Sequence, residues 1–298
     1  MSRFFWLVRR EIWEHKAIWV APLIVLGCLL LAMVTGNVHL GPIGSMDAAT
    51  PLGNIPQEKQ VKLLLVVYAG LALVVYIVMG IVAFFYALDS LYSDRRDRSV
   101  LFWKSLPLSD AETVLSKFAV AGGVIPLVAL LGALLAQLVV AGGGATMLEM
   151  AGASGRIMWQ PDAFFGGAAV AAIWSVTAVV WYAPVIAYLM LASAWAPKGP
   201  FLWAVLPPAA ISVLELVLLR STHVEDFITG RLFGLYKLLG WRQQSGGDSQ
   251  SEMRISDIDL SAGLRDFYTS PELWLGLVAA ALMLAGAMWV RRYRDETA

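Results

Sequence analysis

Two acidic residues three positions apart, Asp94 and Asp97, have the type and spacing that could most directly support chemistry. Carboxylate oxygens are preferred ligands of Mg²⁺, so this pair could hold a magnesium ion for diphosphate chemistry in a membrane-embedded transferase. The arginines that flank both residues would compete for the same carboxylates, and no other predicted cytoplasmic loop supplies a second acidic cluster. A lipid or prenyl transferase that uses Asp94 and Asp97 is therefore one alternative interpretation.

Other patterns that carry chemistry are missing from the sequence. No Gly-x-x-x-x-Gly-Lys-Ser/Thr motif is present to bind phosphates, and the three histidines (His15, His39 and His223) are too far apart in sequence to indicate a metal site. Serine, cysteine and histidine form no recognisable nucleophile arrangement. We therefore predict no catalytic residues, no metal site and no cofactor bound by this chain.

One carboxylate, Glu215, lies deep in an apolar segment, and Pro207 and Pro208 precede it in the same segment. A carboxylate inside a membrane is costly and is by default a functional candidate. The two prolines remove backbone donors and are expected to interrupt the helix, which makes it a plausible moving wall. We predict Glu215, Pro207 and Pro208 as translocation or gate residues; the alternative for Glu215 is an interfacial residue that reaches water or Arg220.

Composition places the chain in a membrane. It has 298 residues, of which 59% are hydrophobic and 15% charged, and the formal net charge is zero. Soluble domains have roughly a quarter charged residues, so most of this chain must face lipid or other membrane helices. The zero net charge gives no argument for a nucleic-acid partner, and we expect membrane lipids as the surroundings.

The apolar segments predict an all-α, polytopic membrane protein that forms a single domain over 1–298. An amphipathic interfacial helix is predicted over 1–16, with Phe4, Phe5, Val8 and Ile12 on one stripe. Six spanning helices are predicted over 17–34, 61–88, 111–141, 164–194, 201–219 and 273–290. Gly122, Gly123 and Pro126 predict a kink in the third span.

The distribution of lysine and arginine predicts that both termini are cytoplasmic. With this N-in, C-in topology, the short outer loops hold only Lys59, Lys62 and Arg156, and the inner segments hold most of the remaining basic residues. The segment 220–271 then lies on the outer face. We expect a multi-pass protein of a bacterial inner (plasma) membrane.

The stretch from Ser93 to Asp110, SDRRDRSVLFWKSLPLSD, joins the second and third predicted spans. It begins with charged residues, continues with an apolar run through Trp103, and ends at Leu106-Pro107. Ser109 and Glu112 then have the spacing of a capping box that opens a helix. A solvated loop is the simplest interpretation of this pattern.

The same order of residues, with Lys117 further on, resembles the permease subunits of ABC-2 type ABC transporters, although Arg98-Ser99 stands where Gly-Thr is usual. The resemblance implies that 93–106 is a cytoplasmic coupling helix that rests on a P-loop ABC ATPase subunit. It implies an exporter in which a second permease copy forms a homodimer, and in which ATP and Mg²⁺ are bound by the ATPase. By this resemblance the ATPase-coupling residues are Asp94, Arg95, Arg96, Asp97, Arg98, Phe102, Trp103, Lys104 and Leu106. A further alternative is a non-transporting immunity or scaffold protein.

Overall fold

The computed structural model of the chain describes residues 3–35, 56–97, 109–235 and 260–294, and these residues are helical almost throughout. The helices are α1 (Arg3–Glu14), α2 (Ala17–Val34), α3 (Gln57–Arg96), α4 (Asp110–Ala119), α5 (Ile125–Met150), α6 (Pro161–Trp195), α7 (Pro200–Leu219), α8 (His223–Phe233), α9 (Leu260–Thr269) and α10 (Pro271–Arg294). A π-helical segment, Val120–Val124, joins α4 to α5, and a 3₁₀ turn, Gly155–Trp159, precedes α6.

Within the described residues, six helices are long and apolar enough to cross a membrane. They are α2, α3, the continuous stretch Asp110–Met150, α6, α7 and α10. The predicted all-α class is confirmed for the described residues, and each predicted span coincides with a helix long and apolar enough to cross a membrane. The irregularity predicted around Gly122 and Gly123 is present as the π-helical segment, which is one of the known causes of helix bending.

The second spanning helix is longer than predicted. It continues past Leu88 to Arg96, because the sequence there contains no helix breaker and Leu88 and Leu91 continue its buried face. Residues 93–96, the beginning of the predicted coupling helix, therefore belong to α3. Residues 98–108 lie outside the described part of the chain.

The N-terminal segment is helical over Arg3–Glu14, and its interfacial position stays a prediction. The protein-facing side of this helix is defined by Leu7 and Glu11, which are both buried. Phe4 and Phe5 of the predicted stripe are exposed, as they would be if that stripe faces lipid. The structure therefore assigns α1 a second face, formed by Leu7 and the carboxylate of Glu11, that packs on the protein.

The chain divides into two compact units. The unit formed by 16–82 and 125–177 has a core of small and apolar residues that includes Leu64, Tyr68, Val140 and Ala141. Gly132 allows a close approach there: a Cβ at this position would lie 3.2 Å from Pro22 and 3.3 Å from Val75. Small residues at such contacts are the usual basis of helix packing in membranes.

The other unit is formed by 1–15, 83–124 and 178–298. In this unit one face of α10 is buried, and its residues are spaced three, four or seven positions apart, as one helical face requires. They are Leu273, Ala280, Leu284, Ala287 and, at the end, the charged Arg291. This unit contains the buried polar residues described next.

Candidate functional site: a buried ion-pair network

Six side chains from four helices meet in one network of ion pairs and hydrogen bonds. They are Glu11 of α1, Tyr86 and Asp94 of α3, Asp110 and Lys117 of α4, and Arg291 of α10. We refer to these six residues as the ion-pair network. All except Asp110 are at least nine-tenths buried within this one chain.

Lys117 lies at the centre of one half of the network. Its Nζ atom is 2.9 Å from Oε1 of Glu11 and 3.4 Å from Oδ1 of Asp94, and the residue is only 1% exposed. An isolated ammonium group could not be buried to this extent at acceptable cost. The two carboxylates are therefore the reason that Lys117 can lie inside the fold.

Arg291 joins the other half. Its Nη1 donates to Oδ2 of Asp94 at 3.0 Å, and its Nε donates to Oδ1 of Asp110 at 3.2 Å. Asp94 precedes the segment 98–108 and Asp110 follows it. One guanidinium group therefore pairs with a carboxylate on each side of the segment 98–108, which is part of the predicted coupling helix.

Tyr86 and His15 complete the surroundings of Glu11. The Tyr86 hydroxyl donates to Oε2 of Glu11 at 3.0 Å, and the His15 ring meets the Tyr86 ring edge-on at 4.7 Å. Nδ1 of His15 lies 3.1 Å from the backbone oxygen of Glu11. Each carboxylate oxygen of Glu11 thus has a cationic or hydroxyl partner, as a buried carboxylate requires.

Helical spacing explains how the sequence brings these groups together. Asp110 and Lys117 are two turns apart on α4 and therefore share one face of that helix. Tyr86 and Asp94 are likewise about two turns apart on α3, so their side chains project from nearly the same face. Ser109 caps α4 in the predicted capping box, with its hydroxyl accepting from the backbone of Glu112 and the Glu112 carboxylate accepting from the backbone N–H of Ser109. The cap fixes where α4 begins and so where Asp110 lies.

Within the network three carboxylates face two cations. Removing one partner of a buried pair leaves an uncompensated charge, which costs about 3–5 kcal/mol, whereas the intact pair adds little net stability over apolar packing. A network of this kind therefore specifies one arrangement of four helices more than it stabilises the fold.

The residues predicted to contact an ATPase fall into different environments. Asp94 is buried in the ion-pair network, and Nη2 of Arg95 donates to the carbonyls of Ser193 (2.6 Å) and Ala196 (2.9 Å) at the end of α6. Arg96 and Asp97 are exposed and pair with each other at 3.1 Å. Their exposure leaves these two available to a partner. The remaining residues, Arg98, Phe102, Trp103, Lys104 and Leu106, lie outside the described residues.

Glu215 has a structural task that the sequence did not indicate. Its Oε1 accepts from the Ser221 hydroxyl at 2.7 Å and from the backbone N–H of His223 at 2.9 Å, and its Oε2 accepts from the backbone N–H of Val224 at 2.7 Å. His223 and Val224 are the first two residues of α8, whose N–H groups have no partner within the helix. Glu215 of α7 is therefore the N-terminal cap of α8, and its gate role stays a prediction.

Pro207 and Pro208 lie inside α7, and the helix continues through both. The prediction that the two prolines interrupt this helix is therefore wrong, since α7 is continuous from Pro200 to Leu219. Pro208 has no N–H for the carbonyl four residues earlier, and that carbonyl, of Ala204, accepts instead from the Tyr188 hydroxyl at 2.8 Å. A neighbouring helix thus satisfies the group that proline frees, as membrane helices commonly require.

The transferase alternative receives no support from this geometry. Both oxygens of Asp94 are occupied by cations of the chain, and Asp97 is paired with Arg96. In the described ranges no three His, Cys, Asp or Glu side chains are grouped so that they could hold a metal ion.

Sequence reasoning missed the partners Glu11, Tyr86 and Arg291. The signal that could have found the network is Lys117 itself, since a lysine two turns inside an apolar helix requires buried carboxylates. Comparison with known proteins adds no relative: no family model, curated protein or solved structure matches this chain.

Proposed function

We propose that this chain is the membrane subunit of an ATP-driven exporter of the ABC-2 type, coupled to separate P-loop ATPase subunits and acting as a homodimer. The chain forms the membrane pathway, and the ATPase subunits bind ATP and Mg²⁺. The residues 93–106 form the contact with the ATPase, and the segment 220–271 lies on the outer face.

The observation that carries the proposal is the position of Arg291 between Asp94 and Asp110. Coupling requires that a push on the segment after Asp97 reaches the spanning helices without being lost in a flexible loop. Asp94 and Asp110 border that segment, and their bonds to Arg291 connect it to α3, α4 and α10 at once. Lys117 and Glu11 extend the connection to α1.

Two features of the surface agree with the proposal. Arg96 and Asp97 are exposed at the end of α3, where a partner with complementary charge can reach them. Among the described residues α7 is largely exposed and apolar, which leaves most of its surface open to lipid or to a second copy. Such a face is compatible with a second copy, which would have to be held by close packing because lipid is equally apolar.

Co-purification tests the proposal. A P-loop ATPase encoded beside this chain is expressed with it, and recovery of the ATPase on the tagged chain is measured. We expect stoichiometric recovery with the natural sequence and a loss of about tenfold or more for the double variant R96E/D97K, because charge reversal at an interface sets like charges against each other.

The matched control is K198E, which reverses an exposed charge in the turn before α7. It should leave recovery unchanged. If no ATPase is recovered with the natural sequence, or if K198E reduces recovery as much as R96E/D97K, the proposed partner contact is wrong.

A further inference from the structure

Arg231, near the end of α8, is a buried charge outside the ion-pair network. It is 8% exposed, and in the described part of the chain no carboxylate lies within ion-pair distance of it. Its Nη1 makes one long hydrogen bond, 3.3 Å, to the backbone oxygen of Glu272, and its Nη2 has no hydrogen-bond partner among the described residues. A buried guanidinium with one weak acceptor is an expensive arrangement.

The surroundings hold this guanidinium in place without neutralising it. It stacks over the Trp181 ring at 4.3 Å, and Nε1 of Trp181 donates to the carbonyl of Arg231 at 2.8 Å. Its Nη2 lies against Gly276, where any Cβ would collide with it. Burial lowers the pKa of Arg231 below its usual range, and the nearby Glu272 acts in the opposite direction. Arginine remains protonated at neutral pH in spite of such a shift.

The charge lies beside the beginning of a spanning helix. Glu272 and Gly276 belong to the first two turns of α10, whose N-terminus carries a partial positive charge. Trp181, against which Arg231 stacks, belongs to α6, one of the helices long and apolar enough to cross a membrane. A buried charge beside such a helix is costly, which makes Arg231 a candidate binding residue.

The neighbouring exposed side chains are typical of the boundary between lipid and water. Phe227 and Phe233 of α8 and Trp274 of α10 are all more than half exposed, and Tyr268 precedes α10. Aromatic residues of this kind are enriched at the depth of lipid headgroups. An amphiphile that lies along these side chains would bring its polar group to Arg231.

We propose that Arg231, together with the first turn of α10, binds the phosphate group of an anionic amphiphile. The phosphate supplies an acceptor for Nη2, which has none among the described residues, and a stronger one for Nη1. Arg is suited to paired hydrogen bonds with phosphate oxygens. Because Nη2 lies against Gly276, the proposed contact requires the guanidinium to turn away from the α10 backbone. Glu272, as the nearest negative charge, opposes binding. That this site lies on the outer face of the membrane rests on the topology given under the proposed function.

Native mass spectrometry of the full chain in detergent tests the proposal, with phosphatidylglycerol and phosphatidylcholine of identical acyl chains as probes. We expect the natural sequence to retain phosphatidylglycerol in preference to phosphatidylcholine. R231Q should weaken the apparent affinity for phosphatidylglycerol about tenfold, the effect of losing charge-assisted hydrogen bonds. E272Q should tighten it, because a competing negative charge is removed.

Arg265 of α9 provides the matched control, because it is an exposed arginine in the same unit. R265Q should leave the affinity unchanged. Equal losses in R231Q and R265Q, or no preference of the natural sequence for phosphatidylglycerol, would overturn the proposal. If R231Q does not fold, R231K and E272Q replace it, and unchanged affinity in both overturns the proposal equally.

Inorganic phosphate distinguishes the source of the anion. Displacement of phosphatidylglycerol by millimolar phosphate in the natural sequence means that the site recognises the phosphate group alone. If phosphatidylglycerol stays bound in the presence of phosphate, and its binding still depends on Arg231, the site recognises a headgroup that is attached to a lipid. No ATPase is present in this assay, so a negative result leaves the proposed coupling to an ATPase untouched.

Discussion

At the scale of single residues, Lys117 is the side chain on which the ion-pair network depends most. Replacement by methionine keeps the length of the side chain and leaves Glu11 and Asp94 buried with an uncompensated charge. We expect K117M to lower the free energy of unfolding by about 3–5 kcal/mol, measured by denaturation in detergent.

The exposed lysine Lys198 is the control, and K198M should change the free energy of unfolding by less than about 0.5 kcal/mol. Neutralising a second partner should recover part of the loss, so E11Q/K117M is expected to be more stable than K117M. A K117M variant as stable as the natural sequence would contradict the burial of this ion pair.

Glu215 tests a different contact at the same scale. In E215Q one carboxylate oxygen becomes an NH₂ group that cannot accept from a backbone N–H, so α8 loses part of its cap. We expect faster hydrogen exchange at the amides of His223 and Val224, with a loss of about 1 kcal/mol in local stability.

S221A removes only the hydroxyl donor and should leave the exchange of both amides nearly unchanged. Identical exchange in E215Q and the natural sequence would show that Glu215 does not cap α8. Transport by E215Q is a separate question, on which the predicted gate role of this residue depends.

At the scale of elements, the contact between Tyr188 and Ala204 explains how α7 accommodates its two prolines. Y188F removes the donor and leaves the Ala204 carbonyl unpaired, which should cost about 1 kcal/mol of unfolding free energy. In a P208A background residue 208 has its own N–H for that carbonyl, so Y188F should be nearly neutral there.

The difference between these two effects is the coupling energy, and thermal or chemical unfolding of the four proteins measures it. Equal effects of Y188F in the two backgrounds would mean that proline does not free the carbonyl to which Tyr188 donates.

Sequence patterns predicted the elements well where their signal is local. Apolar length identified the six helices that are long enough to cross a membrane, the periodic apolar residues indicated the helix α1, and the Ser109–Glu112 spacing identified the start of α4. The extension of α3 to Arg96 was missed, because charged residues at a predicted span end look the same whether the helix stops or continues.

The contacts between elements could not be read in the same way. Glu11, Asp94, Lys117 and Arg291 are up to 280 residues apart, and periodicity shows which face of a helix is polar but not which helix it meets. Glu215 looked like an isolated charge because its partners are backbone groups of the following helix, and backbone donors leave no mark in a sequence.

At the scale of the whole molecule, the topology is the prediction on which the functional account depends. Single cysteines at Ser99 and Ala298 should be protected from an impermeant thiol reagent in whole cells, and cysteines at Ser45, Ser154 and Ser249 should react. The background is C28A, which removes the chain's one natural cysteine. Labelling at 99 or 298 in intact cells would reverse the assigned orientation.

The central claim is that the ion-pair network transmits force between an ATPase and the spanning helices. Its most direct test is the ATP hydrolysis rate of the reconstituted complex with and without R291Q, at matched ATPase recovery. We expect R291Q to assemble but to lose most of the stimulation that this chain gives to ATP hydrolysis, because Asp94 and Asp110 are no longer joined. R291K should restore part of the stimulation, and R292Q, at the exposed neighbouring position, should retain all of it. Full stimulation in R291Q would contradict the claim.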